Sequence, residues 1–234
     1  MRTHLAAPLS ALAASLLVLT ACSGDDGGEA EADRTPAEVL EAAGTAFDET
    51  SGLRISIATD DLPEGVEGML SADGYGTHDP AFDGTLVVRF AGFEPEVPVV
   101  AVDGVVYAQV PLTTGWSEID PDEYGAPDPA RLLSTDEGFS SLIGDTAGLE
   151  EGEQQRSEQD TSVVVTTYTG SLTGDSVSRI IPTAEGDFDV TYTVSDGDEL
   201  RSMELTGDFY GAEPMTYTIG FSEYGAEPDI TAPE

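Results

Sequence analysis

Residues 82–110 read FDGTLVVRFAGFEPEVPVVAVDGVVYAQV, and their reading decides the fold. Three apolar, β-branched runs lie within them, at 85–90, 97–102 and 105–110, and Asp103-Gly104 separates the last two. Both central positions of a two-residue type I′ hairpin turn need positive φ, so an Asp-Gly pair between apolar runs predicts a hairpin. The turn also fixes register: Val102 faces Val105, Val100 faces Tyr107 and Pro98 faces Gln109. The opposite face then carries Val97, Val99, Ala101, Val106, Ala108 and Val110, all apolar and mostly small. An antiparallel sheet usually shows water one polar face. Neither face here is plainly polar, so helices, a second sheet or a bound apolar ligand must cover the small-residue face.

Composition narrows the chemistry. The chain has 234 residues, 8 basic against 46 acidic, and a formal net charge of −38. Every basic residue is Arg; there is no Lys. So negative a chain is a poor partner for nucleic acid or, through charge, for anionic lipid surfaces. Without Lys there is no phosphate loop of the Walker type, no Schiff base and no Ser-x-x-Lys nucleophile. The two histidines are His4 and His78, and His78 lies in the Gly-rich run Asp73-Gly74-Tyr75-Gly76-Thr77-His78-Asp79, which reads as structural. No metal site and no cofactor are expected. Asp196-Gly197-Asp198-Glu199 and Asp25-Asp26 lack the spacing of a calcium loop and read as turn and tether. Carboxylates are abundant, but no pair stands out as a glycosidase couple.

Towards the N-terminus, residues 1–21 have a short positive start and an Ala/Leu-rich run too short to span a bilayer comfortably, and they read as a signal peptide. Leu19-Thr20-Ala21-Cys22 fits a lipoprotein cleavage site: small residues admit the peptidase, and the Cys22 thiol accepts diacylglycerol. Cys22 is the only cysteine, so no internal disulfide competes for it. Residues 22–34, rich in Gly, Asp and Glu, read as a lipidated flexible tether. Residues 35–234 read as a single domain.

That domain opens on a helix. Thr35 caps it, Pro36 suits its first turn, Glu38 completes a capping box, and Val39, Leu40, Ala43 and Phe47 form its apolar stripe. Leu53 to Ile57 alternates as a strand, and residues 66–77 read as one strand that its glycines let bend. After the hairpin, Trp116, the only tryptophan, reads as a core plug at a strand end. Asp128-Pro129 opens a short helix with Leu132 and Leu133. A second helix opens at Thr135, with Phe139, Leu142 and Ile143 on one side. Residues 148–160 are charged and read as a surface loop or a short strand. A strand at 162–169 precedes a helix over 173–181 bearing Val177, Ile180 and Ile181. Three one-sided alternating strands complete the chain.

This order predicts an α+β fold: one antiparallel sheet of roughly eight to ten strands, curved into a half-barrel, with a few helices on its concave face. Undersized inward side chains would leave an apolar cavity. Parity and helix stripes give its candidate lining: Leu86, Val88 and Phe90; Val97, Val99, Ala101, Val106 and Ala108; Leu132, Leu133, Phe139, Leu142 and Ile143; and Val177, Ile180 and Ile181. A fully packed core with no ligand is the competing reading, and a cavity of several hundred Å³ is what separates the two.

The chain also resembles a known family, the LppX/LprA/LprF/LprG lipoproteins of actinobacteria, over nearly all of the mature region. The carriers are the lipobox at Cys22, the run 97–110 around Asp103-Gly104, and Gly115-Trp116. They continue with Pro127-Asp128-Pro129 and Leu132-Leu133, Glu137-Gly138-Phe139 with Leu142, Arg179-Ile180-Ile181-Pro182, and Glu227-Pro228-Asp229-Ile230-Thr231-Ala232-Pro233. None of these motifs is catalytic; their order makes the resemblance. It implies a helix-lined half-barrel similar to the Lol-type lipid carriers. It implies further that acylated lipids, glycolipids or lipoglycans are bound and shuttled between the plasma membrane and the outer envelope. The protein would be a monomer anchored on the extracytoplasmic face of the membrane, and some relatives are associated with an exporter of the major-facilitator type.

Overall fold

The computed structural model describes residues 34–157 and 160–234. The expected signal peptide, Cys22 and nearly all of the expected tether lie outside the described residues. Residues 34–234 form one compact unit.

The predicted hairpin forms in the expected register. Strands β4 (Glu96–Val102) and β5 (Val105–Ala108) pair Val102 with Val105 and Val100 with Tyr107. The Gln109 N–H donates to the Pro98 carbonyl at 3.0 Å. Asp103 and Gly104 have φ of 55° and 76°, as a type I′ turn requires.

Around it, β1 (Gly52–Ala58), β2 (Gly68–Thr77), β3 (Ala81–Arg89), β6 (Ser117–Ile119), β7 (Ala147–Arg156), β8 (Val164–Thr173), β9 (Glu185–Ser195), β10 (Leu200–Asp208) and β11 (Met215–Ser222) complete an antiparallel sheet. Its order is β6-β5-β4-β3-β2-β1-β11-β10-β9-β8-β7. Chain-consecutive strands are sheet neighbours except where β1 meets β11 and where the 120–146 segment intervenes between β6 and β7. The sheet has eleven strands, more than the eight to ten expected. One was not expected as a strand, and for the other the sequence leaves a surface loop or a short strand both open. β6 is three residues long, and β7 is an exposed edge strand whose glutamates and glutamines show no alternation.

Helix α1 (Pro36–Glu49) begins as expected: Thr35 and Glu38 form a reciprocal capping box, and Val39, Leu40, Ala43 and Phe47 are buried. The other helices are shorter than their stripes suggest. The one expected over 173–181 is α3 (Gly174–Val177) followed by turns, and the one expected from Thr135 is α2 (Ser141–Asp145). Pro129–Arg131 is a single 3-10 turn. Tertiary packing replaces helix length here: Arg179 ion-pairs with Asp145, tying α3 to α2.

Antiparallel pairing sorts the connections into two ends. At one end lie the β2–β3, β4–β5 and β9–β10 turns, the start of β1 and the C-terminal segment. At the other lie the β1–β2, β3–β4, β5–β6, β8–β9 and β10–β11 connections. Phe47 of α1 packs edge-on against Phe221, Tyr224 and His78, all at the first end. Helix α1 thus closes that end with a dry core.

Candidate functional site

The same face of the sheet is not filled at the other end. A cavity of about 1190 Å³ lies there, above the ~300–1,000 Å³ usual for small-molecule pockets. Its floor is Ile55 and Ile57 of β1, Ala72 of β2, Val97 and Val99 of β4, Val106 and Ala108 of β5, Leu205 of β10 and Ile219 of β11. Inward residues on neighbouring strands sit side by side, as strand pleating dictates. Valine and alanine reach only a short way from the backbone, so the curved sheet leaves a hollow between itself and the segments facing it. Val177, Ile180 and Ile181 of the α3 turn, Leu132 and Phe139 form the facing wall.

The cavity opens at the second end of the sheet. Residues of all five connections there line it: Val66 and Glu67; Phe90, Ala91 and Phe93; Val110 to Leu112; Ile180, Ile181 and Thr183; and Tyr210 to Ala212. The chain from Pro121 to Pro127 contributes one side of its border. Among the described residues lining the cavity, the charged ones are Glu67, Arg89 and Glu123, and both carboxylates are exposed. Arg89 is already engaged. Its Nε donates to Glu94 at 3.0 Å, and its Nη1 donates to the Leu62 and Pro63 carbonyls at 3.1 and 3.2 Å. It ties the β1–β2 connection to the mouth. Among the described residues there is no cluster of His, Cys, Asp or Glu able to hold a metal ion.

Two of the lining phenols, Tyr210 and Tyr217, form one polar group with the Met69 backbone. The Met69 N–H donates to Tyr210 Oη at 3.3 Å, and the Tyr217 hydroxyl donates to the Met69 carbonyl. The two hydroxyl oxygens are 2.7 Å apart, so Tyr210 donates to Tyr217 and closes a ring of three hydrogen bonds. Burial, reinforced by Tyr210, pushes the Tyr217 phenol far above the ordinary tyrosine range. Every polar atom of this group is satisfied inside the wall, which leaves an apolar surface towards the cavity.

The structure brings together Leu86, Val88, Phe90, Val97, Val99, Val106, Ala108, Leu132, Phe139, Val177, Ile180 and Ile181 around the cavity. Four expected residues are not on its wall. Ala101 is 1% exposed and packs with Phe82 and Ala130 where the 3-10 turn Pro129–Arg131 lies on the sheet. Leu133 fills the space above Gly76, where an added Cβ would stand 2.7 Å from its Cδ1. Leu142 is fully buried, and Ile143 packs against the same core beside Gly44 of α1. Parity identified the correct face for Ala101 but not how far along it the open space runs. Trp116 is half-buried and belongs to neither core cluster, so, contrary to expectation, it does not plug the core. The contributions of β1, β10 and β11 were missed, although Ile55-Ser56-Ile57 and Tyr217-Thr218-Ile219 carried the signal in their alternation.

Comparison with known proteins agrees with this fold. No curated protein matches the sequence. LprF from Mycobacterium bovis superimposes with a TM-score of 0.69 at 15% identity, over 85% of this chain and 96% of that one. Lipoprotein LppX from Mycobacterium tuberculosis superimposes with a TM-score of 0.62 at 15% identity, over 84% of this chain and 98% of that one. Both share the curved open sheet. The model of the LppX_LprAFG lipoprotein family matches residues 35–230. Matched by that model over residues 35–230, from the cap of α1 into the C-terminal segment, the chain belongs to the LppX_LprAFG lipoprotein family.

Proposed function

We propose that this protein is a cell-envelope lipoprotein that takes the acyl chains of a lipid or glycolipid into its cavity and carries them between the plasma membrane and the outer envelope. The observation that carries the reading is the apolar hollow of about 1190 Å³, open at one end of the sheet and closed at the other by α1. A purely structural lipoprotein would have no use for that volume, since empty apolar space costs packing contacts.

Burying an acyl chain away from water is worth about 0.8 kcal/mol per methylene, so roughly 10 kcal/mol for one long chain. A bilayer offers nearly the same. Exchange between bilayer and cavity is then close to neutral, and no chemical step is needed. The protein lowers the cost of crossing water; supply, trapping at the destination or a membrane exporter of the major-facilitator type sets the direction. In this reading residues 1–21 are removed, acylated Cys22 holds the protein on the extracytoplasmic face of the plasma membrane, residues 22–34 set its reach, and it acts as a monomer.

The reading is tested with delipidated protein and a fluorescent long-chain acyl probe. Saturable uptake by the wild type is expected, with roughly a tenfold or greater loss in Val99→Trp, whose indole would occupy the floor. Absence of uptake in the wild type, or full uptake by Val99→Trp with its fold intact, would contradict it.

A further inference from the structure

We propose that the rim of the cavity mouth is a docking surface for the lipid bilayer itself, entered by three turn-borne side chains, Phe90, Phe93 and Leu112, with Tyr124 beside them. The proposal builds on the carrier reading but is tested apart from it. Among the described residues, the large hydrophobic side chains left exposed are these four: Phe90 at 58%, Phe93 at 73%, Leu112 at 106% and Tyr124 at 63%. All four border the cavity. Such residues scattered singly need no explanation; gathered round one opening, they do.

Their backbone settings strengthen the point. Phe90 and Phe93 flank a tight turn, with reciprocal N–H to carbonyl bonds of 2.9 Å between them and Ala91 and Gly92 at φ of 50° and 80°. The turn projects both rings. Leu112 sits at φ 72°, a conformation that favours glycine or asparagine. A leucine there is strained and packs on nothing in its own chain, so neither the backbone nor the core accounts for it.

The occupant follows from area, charge and continuity. Each such side chain can bury at most about 150–250 Å². Four partly exposed ones fall short of the ~800 Å² per partner that a stable protein interface, including a second copy of this chain, requires. Inserting separate tips into a headgroup layer needs no such area. The charges on the rim or next to its residues in sequence include Glu67, Glu94, Glu96, Asp122, Glu123 and Glu213 against Arg89, and Arg89 is paired with Glu94. The surface therefore suits a bilayer of low negative charge, held by apolar insertion. An apolar phase in contact with the rim also continues the apolar wall inward, so an acyl chain can pass between them without meeting water.

The test uses the chain from residue 22 onward with Cys22→Ser, so that no acyl anchor contributes, and vesicles of phosphatidylcholine. Trp116 lies four positions beyond Leu112 in the β5–β6 connection and is the only tryptophan, so its fluorescence reports insertion. Vesicle co-sedimentation with a blue shift of Trp116 is expected. Phe90→Ser with Phe93→Ser should weaken binding by about tenfold or more per ring, with an unchanged unfolding midpoint because both rings are exposed. Leu112→Asn should raise the midpoint by relieving the backbone and still weaken docking, which no purely structural role would do. Adding phosphatidylglycerol should weaken binding at low salt and lose that effect at high salt. A wild type that stays in the supernatant, rim variants that bind as well as wild type, or a wild-type dimer dissolved by the rim variants would overturn the proposal. Rim-dependent docking by a protein that takes up no acyl probe would uphold it and remove the carrier reading instead.

Discussion

The hydroxyl oxygens of Tyr210 and Tyr217 lie 2.7 Å apart and together hold both backbone polar groups of Met69. The pair sits where the pairing of β2 with β3 shifts register, between Met69 and Ser71, and where β1 has already ended at Ala58. Two strands that are not neighbours in the sheet, β2 and β11, are thereby clamped past the end of β1. Tyr217→Phe removes one donor and strands a part-buried carbonyl, so it should lower stability by about 1–3 kcal/mol in urea unfolding. Tyr210→Phe should cost a similar amount. The double variant should cost less than the sum, because both belong to one ring of hydrogen bonds.

Alkaline pH should unfold the protein through its buried phenols. Burial is the first cause raising Tyr192, Tyr217 and Tyr224 above the ordinary value of 10.0. A raised native pKa means that the folded state binds more protons than the unfolded one above that value, so stability holds below pH 10 and falls as pH rises beyond it. Each group contributes at most about 1.4 kcal/mol per pH unit, so the three together give roughly 4 kcal/mol per unit. Guanidinium unfolding at pH 8 and at pH 11 measures the drop, and replacing any one of the three by Phe should reduce the slope by about a third.

The closed end of the cavity depends on Phe47. It is fully buried, with ring centroids 5.1 Å from Phe221 and 6.4 Å from Tyr224, and its carbonyl lies 2.9 Å from His78 Nε2. Phe47→Ala should cost about 3–5 kcal/mol. Calorimetry should show this loss, whereas Phe93→Ala at the exposed mouth should leave the unfolding temperature nearly unchanged.

Arg34 and the mouth lie at opposite ends of the body. Arg34, where the described chain begins, makes a bidentate ion pair with Asp198 in the β9–β10 turn, at the end opposite the mouth. The 12 residue steps from Cys22 to Arg34 (34 − 22) can span at most roughly 40 Å. Strands of 10 or 11 residues, such as β8 and β9, are about 33–36 Å long. The proposed tether therefore only just lets the mouth turn back to the anchoring membrane. Deleting residues 24–31 should cut lipid loading from that membrane several-fold in reconstituted vesicles, while uptake from added acyl probe stays unchanged.

Much of the sheet was legible because strand signals are local. Asp103-Gly104 fixed a register that holds residue for residue, and the alternation in β1, β9, β10 and β11 placed each on the correct face. The rest depended on context. β7 is written in Glu, Gly and Gln because an edge strand with little buried surface needs no alternation, so the sequence leaves loop and short strand both open. The stretch from Pro127 to Asp145 takes its shape from packing on β2, β3 and β4 at its start and on α1 at its end, and its apolar residues could not say which of them would plug and which would line. Leu132 and Leu133 are neighbours in sequence, yet one borders the cavity and the other fills the core above Gly76. Leu112 and Phe93 look like ordinary loop residues until the structure sets them around one opening.

The most direct measurement is native mass spectrometry of the protein purified from its own membranes without detergent. The account predicts a population heavier than the acylated chain by one lipid, reduced to the bare mass in Val99→Trp. A wild type found only at the bare mass, with a crystal structure showing Val99 and Ala108 in contact with side chains of the facing wall, would contradict it.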